Sequence, residues 1–329
     1  MRLRNLLWRK LWRHGVSFFS AARNSRLASI LRTLPERALL LALPFLLNGP
    51  AAAQSIRATD DVGWIFRSAV PPRRIVSLAP NITEILFALG CGDRIVGVTR
   101  YCDYPPEAKK IGKIGGLLDP NVERIKSLSP DIVIAFRGNP LEVLRRLKEI
   151  GVPVFTLDIK DVLADIPRLI DRIGQLTGKA EETSRLNGVL AEKRRVVETA
   201  VSRVLKRPRI FLSLQGSGLW TFGRDSYFSD LLRLAGAESI TSAVTLRWFE
   251  YGRERLIEDD PDLLVILARS EAEFRDAVAW FKVQAGIKDL RAVRQGRFLR
   301  LDQDPASRFG PRLFDTLLDL ARRLHPELF

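Results

Sequence analysis

The sequence predicts an α/β protein of two lobes, each a doubly wound parallel sheet, bridged by one long α-helix. Three observations carry this. One pattern occurs twice: Glu123-Arg124-Ile125 leads to Pro130-Asp131-Ile132-Val133-Ile134, and Glu254-Arg255-Leu256 leads to Pro261-Asp262-Leu263-Leu264-Val265, with the glutamate seven residues before the proline both times. Each copy reads as a short helix, a stop and a buried strand. Proline cannot donate within a helix and pushes the preceding residue out of the α region. The unalternated apolar run after it fits a strand covered on both faces. Strands and helices also alternate over short loops on either side of the middle of the chain, the rhythm of parallel sheets. Finally, residues 179–205 read as a single helix with apolar positions at Leu186, Leu190, Val197, Val201 and Val204, ended by Pro208. At about 1.5 Å per residue it would be roughly 40 Å long.

Taken in order, residues 1–53 carry nine Lys/Arg against one acid, Glu36. Arg32 and Arg37 precede an apolar run over 38–47, and Ala51-Ala52-Ala53 follows. This is the pattern of a secretory signal peptide cleaved after Ala53, and the run is too short to span a bilayer as a helix. No cysteine stands at that junction, so no lipid anchor is expected. Residues 1–31 are long for such a leader. They imply a misassigned start, an extended leader, or a basic membrane-surface segment presenting Trp8, Trp12, Phe18 and Phe19.

Residues 54–72 read as an N-terminal tail ending in Pro71-Pro72. The first lobe, 73–178, opens with a strand at 74–78, a helix over 82–89 that Asn81 can cap, and a stop at Gly90. A strand at 95–98 follows, then a loop holding Tyr101, Cys102, Asp103 and Tyr104. Asn121 caps the Glu123 helix, and a strand at 132–136, a helix at 140–150 and a strand at 154–157 complete the lobe. A helix over 161–176, interrupted near Pro167, leads into the bridging segment 179–207. The second lobe, 208–329, restarts with a strand at 209–214, a turn at Gly216-Ser217-Gly218 and a strand at 219–222. A helix at 226–234 precedes a loop with Trp248, Phe249 and Tyr251. The second copy of the repeat, a strand at 298–301, a polar loop at 303–310 and a closing helix at 312–324 follow.

Composition excludes several classes. The chain has 329 residues, 46% of them hydrophobic and 28% charged, so it is globular. Its net charge of +15 resembles a nucleic-acid signal, but more than half of the excess lies in residues 1–53. No basic-aromatic stripe accompanies the rest. Cys91 and Cys102 form no CxxC motif; they either pair or stay as free thiols. Gly112–Gly116 lacks the Lys-Ser/Thr of a phosphate loop. The only histidines, His14 and His325, cannot build a multi-histidine metal site or a Ser-His-Asp set.

Across residues 73–329 the sequence resembles the periplasmic substrate-binding proteins of ABC importers for cobalamin, ferric siderophores and haem. The resemblance rests on Arg74-Ile-Val-Ser-Leu-Ala-Pro-Asn-Ile-Thr-Glu84, Val98-Thr-Arg-Tyr-Cys-Asp-Tyr-Pro-Pro106, Asn121-Val-Glu-Arg-Ile125, the strand after Pro130, and the ending Gly310-Pro311-Arg312-Leu313. The Tyr-x-Asp-Tyr-Pro-Pro loop and Ala135-Phe136-Arg137-Gly138 are closest to the cobalamin branch. Leu117-Leu118 and Phe136 depart from it, standing where tryptophan is common.

The resemblance implies a monomeric periplasmic receptor that is not an enzyme, has no permanent cofactor or metal, and passes its ligand to a membrane permease. A corrinoid is the first expectation, with haem or a ferric siderophore as the alternative. Ligand contacts are implied at Pro80, Tyr101, Phe136 and Arg137 in the first lobe and at Trp220, Trp248, Phe249 and Arg308 in the second. Glu123 and Glu254 become the carboxylates that dock permease arginines. Direct haem ligation would require one of Tyr101, Tyr104, Tyr227 or Tyr251. His325 is read as a helix-end residue. An enzyme or a ligand sensor on the same scaffold is the competing class; paired acids such as Asp103 with Asp119 could do acid–base work, but nothing in the sequence marks them.

Overall fold

The computed structural model describes residues 55–160, 162–214 and 218–329. The expected leader, the expected helix start at residue 161 and the first two residues of the 216–218 turn lie outside the described residues.

The tail expected before the first lobe is instead an antiparallel hairpin of β1 (Ile56–Thr59) and β2 (Ile65–Ser68). Its strands alternate, burying Ile56, Ala58 and Phe66. The buried Asp60 carboxylate holds the turn by accepting from Trp64 N–H, and reaches the lobe-one sheet by accepting from Thr156 N–H at 2.9 Å.

Lobe one then runs β3 (Ile75–Ser77), α1 (Pro80–Ala88), β4 (Ile95–Val98), α2 (Val122–Ser127), β5 (Ile132–Phe136), α3 (Leu141–Glu149) and β6 (Val154–Leu157). Its sheet is parallel throughout, in the order β4-β3-β5-β6. Two helices follow, α4 (Val162–Thr177) and α5 (Ala180–Val201).

Lobe two continues with β7 (Arg209–Ser213), β8 (Trp220–Phe222), α6 (Tyr227–Leu234), β9 (Glu238–Ser239), β10 (Trp248–Glu250) and α7 (Arg253–Asp259). It closes with β11 (Leu263–Ala268), α8 (Glu271–Val283), α9 (Arg291–Arg294), β12 (Phe298–Asp302), α10 (Gln303–Ser307) and α11 (Leu313–Leu324). Its parallel sheet runs β9-β7-β11-β12, the lobe-one order repeated, while β8 and β10 form a separate antiparallel ribbon.

The repeated motif has a repeated frame. Asp131 accepts from the N–H groups of Arg73 and Arg74 at 2.7 and 2.9 Å, and Asp262 accepts from Arg209 N–H at 2.9 Å. Arg74 in turn donates to the Leu128 carbonyl at the end of α2, and Arg209 to the Asp259 carbonyl at the end of α7. These are the orphan carbonyls that a helix leaves at its C-terminus. The residue before each proline is left-handed, Ser129 at φ 45° and Asp260 at φ 34°. The Pro-Asp pair therefore stops a helix and pins the neighbouring first strand in one step.

The bridge differs from expectation at both ends. The helix before it runs through Pro167 without a break. Proline loses its own N–H bond and crowds the carbonyl four residues back, a local cost set against the burial of Leu163, Ile166, Leu169, Ile170 and Ile173 of the same helix. The bridging helix stops at Val201, well before Pro208, with 3₁₀-type bonds from Arg203 N–H to Ala200 O and Val204 N–H to Val201 O. Its 22 residues give about 33 Å rather than 40 Å. Between α4 and α5, Gly178 takes φ 70°, a conformation that lets the two helices fold back on one another. Helix α5 packs on α4 from one side and α11 from the other. One continuous core joins Ile82, Ile134 and Phe155 of lobe one, Leu190 and Val197 of the bridge, and Leu212, Phe228 and Phe314 of lobe two.

Candidate functional site

In an open parallel sheet the ligand crevice lies outside the strand carboxyl ends, where the strand order reverses. In lobe one this point is between β3 and the strands β4 and β5 on either side of it. A pocket of about 450 Å³ opens there. Ala79, Pro80 and Asn81, just past β3, meet Phe136 at the end of β5, with Tyr101, Leu117, Leu118 and Asp119 from the loops. Lobe two closes it with Ser307, Arg308 and Phe309. Hollows of about 520 and 730 Å³ lie elsewhere, but the first is lined largely by Arg, Asp and Glu and the second runs along the outside of α5 to the C-terminus. The cleft pocket is the apolar one with a few polar groups, the usual character of a small-molecule site.

Local structure fixes the walls. Helix α1 begins at Pro80 with Ala79 as N-cap, proline being suited to the first helical turn. Asn81 is accordingly buried within that turn and does not cap it. A residue with no sequence signal organises the pocket: Asn139, 4% exposed, accepts from Phe136 N–H at 2.8 Å. It also donates to the carbonyls of Leu78 at 3.1 Å and Leu117 at 2.9 Å. One amide thus ties together the three segments that carry Pro80, Leu117 and Phe136. Only its place just after the Phe136-Arg137-Gly138 strand end could have drawn attention to it.

Four of the eight expected ligand contacts meet in the pocket: Pro80, Tyr101, Phe136 and Arg308. Arg137 does not; it is 61% exposed and paired with Asp158 at 2.6 Å. Trp248 approaches through an aromatic chain. It stands edge-on to Tyr227 at 6.3 Å, and Tyr227 is edge-on to the pocket residue Phe309 at 4.8 Å. Phe309, another residue missed from sequence, adopts φ 54°, unusual for a bulky side chain and located at the cleft. The ribbon register puts Trp248, Phe222, Trp220 and Glu250 on one face and Phe249 on the other. Phe249 packs edge-on against Tyr251 in the second lobe's own core, so it and Trp248 do not line one wall. Trp220 lies exposed at the far end of Trp248's face and does not reach the pocket lining.

Of the four tyrosines, only Tyr101 lines the pocket. Tyr227 is half-buried, and desolvation pushes its phenol up. Tyr251 is pushed up to about 12 by burial and by its bond to Asp259. Tyr104 lies under the Arg312 guanidinium, 3.8 Å from the ring centre. Among the described residues no His/Cys/Asp/Glu group is placed to hold a metal. Cys91 and Cys102 are both buried free thiols, and burial raises the pKa of Cys91. His325 caps the end of α11, with Nε2 3.2 Å from Gly236 O.

Glu123 and Glu254 each sit in the first turn of a short helix that returns the chain to a parallel strand. That puts both at the strand-carboxyl end of their own sheets, the end that opens on the crevice. Both are exposed. Glu123 has only a loose ion pair, to Arg146 at 3.7 Å, and Glu254 has none among the described residues.

Two duplicated α/β lobes on one helical spine, with an apolar pocket where they meet, define a solute-binding protein of the two-lobed kind. The family described as periplasmic binding protein matches residues 75–305, and the chain belongs to it. The vitamin B12-binding protein of Yersinia pseudotuberculosis serotype O:3 (strain YPIII) is 32% identical over 257 residues, covering 76% of this chain and 86% of that protein. The uncharacterized ABC transporter substrate-binding lipoprotein YvrC of Bacillus subtilis (strain 168) is 28% identical over 267 residues, covering 78% and 82%. Among solved structures, the apo periplasmic heme-binding protein RhuT from Roseiflexus sp. RS-1 gives a TM-score of 0.67 at 28% identity, covering 78% of this chain and 99% of that one.

Proposed function

We propose that this protein is a monomeric, non-enzymatic periplasmic receptor that takes a corrinoid between lobes 73–178 and 208–329 and delivers it to an ABC importer permease. The observation that carries the reading is the pocket itself: Pro80, Tyr101, Leu117, Leu118, Phe136 and Phe309 form apolar walls, and the polar lining is limited to Asn81, Asp119, Ser307 and Arg308. A flat macrocycle with amides on its rim needs such walls. Trp248 extends the aromatic surface outward through Tyr227. Glu123, held only loosely by Arg146, and Glu254 are the docking carboxylates, both exposed to incoming arginine forks. With no cysteine at the expected cleavage point, we read the receptor as unanchored, unlike the lipoprotein relative.

Titration calorimetry with cyanocobalamin and cobinamide tests the ligand; the expected result is one-site binding at micromolar protein, and absence of heat with both refutes the corrinoid. One observation favours a second reading. Tyr101 is the single tyrosine on the pocket, so haem would be ligated there, and a Soret band lost in Tyr101→Phe would establish haem instead.

A further inference from the structure

The loop that carries Tyr101 is held from the opposite lobe. Arg308 Nη1 donates to Tyr101 O at 2.8 Å, and its Nη2 pairs with Asp103 at 2.7 Å and with Asp304. Four residues on, Arg312 lies face-on to the Tyr104 ring. Its Nε and Nη2 fork onto both oxygens of Glu84, at 3.0 and 2.5 Å, and Nη2 also meets Asp304 at 2.7 Å. Glu84 is 4% exposed, within α1 of lobe one. Burial pushes its carboxyl above the usual range against the pull of Arg312, while the two-point fork is the geometry of an ionised carboxylate. Gly310 permits this approach: a Cβ there would lie 3.0 Å from Glu84 Oε2. Both terminal nitrogens of Arg308 are thus engaged within the protein, and its charge is balanced by two aspartates. It is not a free cation awaiting a ligand carboxylate.

We infer that Arg308 and Arg312 are positioning residues: from lobe two they pin the 101–104 loop at a carbonyl, a carboxylate and a ring face, and so hold Tyr101 as a wall of the cleft. Glu84 and Asp304 supply the counter-charges that fix the two guanidinium groups. Tyr101 is then ready for ligand only while the lobes are latched on this flank. Any force that parts them there withdraws all three pins together, loosening the wall as the cleft opens. The inference deepens the receptor reading and rests on it.

The test is a double-mutant cycle with cyanocobalamin, read by calorimetry, alongside amide hydrogen exchange of residues 101–104 in the free protein. Arg308→Gln should weaken binding by about tenfold in the wild-type background and by less than about twofold in Tyr101→Ala. It should also speed exchange across 101–104, and Arg308→Lys, which keeps charge but loses the fork, should fall between. Glu84→Gln, which acts through Arg312, serves as the independent second variant and should speed the same amides. Equal losses in both backgrounds, or unchanged exchange in both variants, would overturn the latch. If the wild type binds no cyanocobalamin, the corrinoid reading fails, and the exchange result alone decides the latch: faster exchange supports it and unchanged exchange refutes it.

Discussion

The two lobes share a frame and differ in what they bring to the cleft. Each has the same parallel strand order, the same Pro-Asp stop and the same arginine closing the end of a short helix. Lobe one adds a preformed half-pocket at its strand ends, held by Asn139. Lobe two adds the β8–β10 ribbon with its tryptophans and the α10–α11 arginines, none of which has a counterpart in lobe one. What is duplicated holds the scaffold and presents matched carboxylates. The cleft pocket is built from what is not duplicated.

The largest effect should come from the unduplicated anchor. Asn139→Ala strips three hydrogen bonds from a buried site and leaves a backbone N–H and two carbonyls unpaired. A loss of about 2–4 kcal/mol in denaturant unfolding is expected, with weakened ligand binding. An effect under about 1 kcal/mol would mean that the pocket segments stand without it. Next come the frame aspartates. Asp131→Ala and Asp262→Ala should each cost about 1–2 kcal/mol, and the near equality is the point. Losses differing severalfold would show that the two copies are alike in form only. The smallest effect on the isolated protein should come from Glu123→Ala with Glu254→Ala. Unfolding and ligand affinity should stay unchanged while uptake in cells falls sharply. A collapse of ligand affinity would instead make these carboxylates structural or part of the pocket.

Much of the frame was legible because its signals are local. Pro130-Asp131 and Pro261-Asp262 announce a stop and a strand through proline chemistry and an apolar run, and both appear where expected. The hairpin at 56–68 leaves little trace in the sequence because each strand has four residues, too few for a period of two to stand out against Asp60-Asp61-Val62-Gly63. The end of the bridge is hidden in the sequence because apolar spacing persists past Val201, although Leu205 is fully exposed. The site was legible only where lining and loop chemistry coincide, as at Pro80, Tyr101 and Phe136. Arg308 faces the cleft as expected, but its partners Tyr101 and Asp103 lie in the other lobe, so no spacing along the chain reveals that its charge is already spent. Phe249 shows the same limit in small: beside Trp248 in sequence, it faces the opposite way because strand side chains alternate.

The claim that everything else depends on is the place of the ligand. Hydrogen–deuterium exchange of the whole protein with and without saturating cyanocobalamin maps it directly. The account predicts slowed exchange at 79–81, 117–119, 136–139 and 307–309, the segments around the cleft pocket. Slowing confined to the charged hollow along 300–323, or to the outer face of α5, with those segments unchanged, would contradict it.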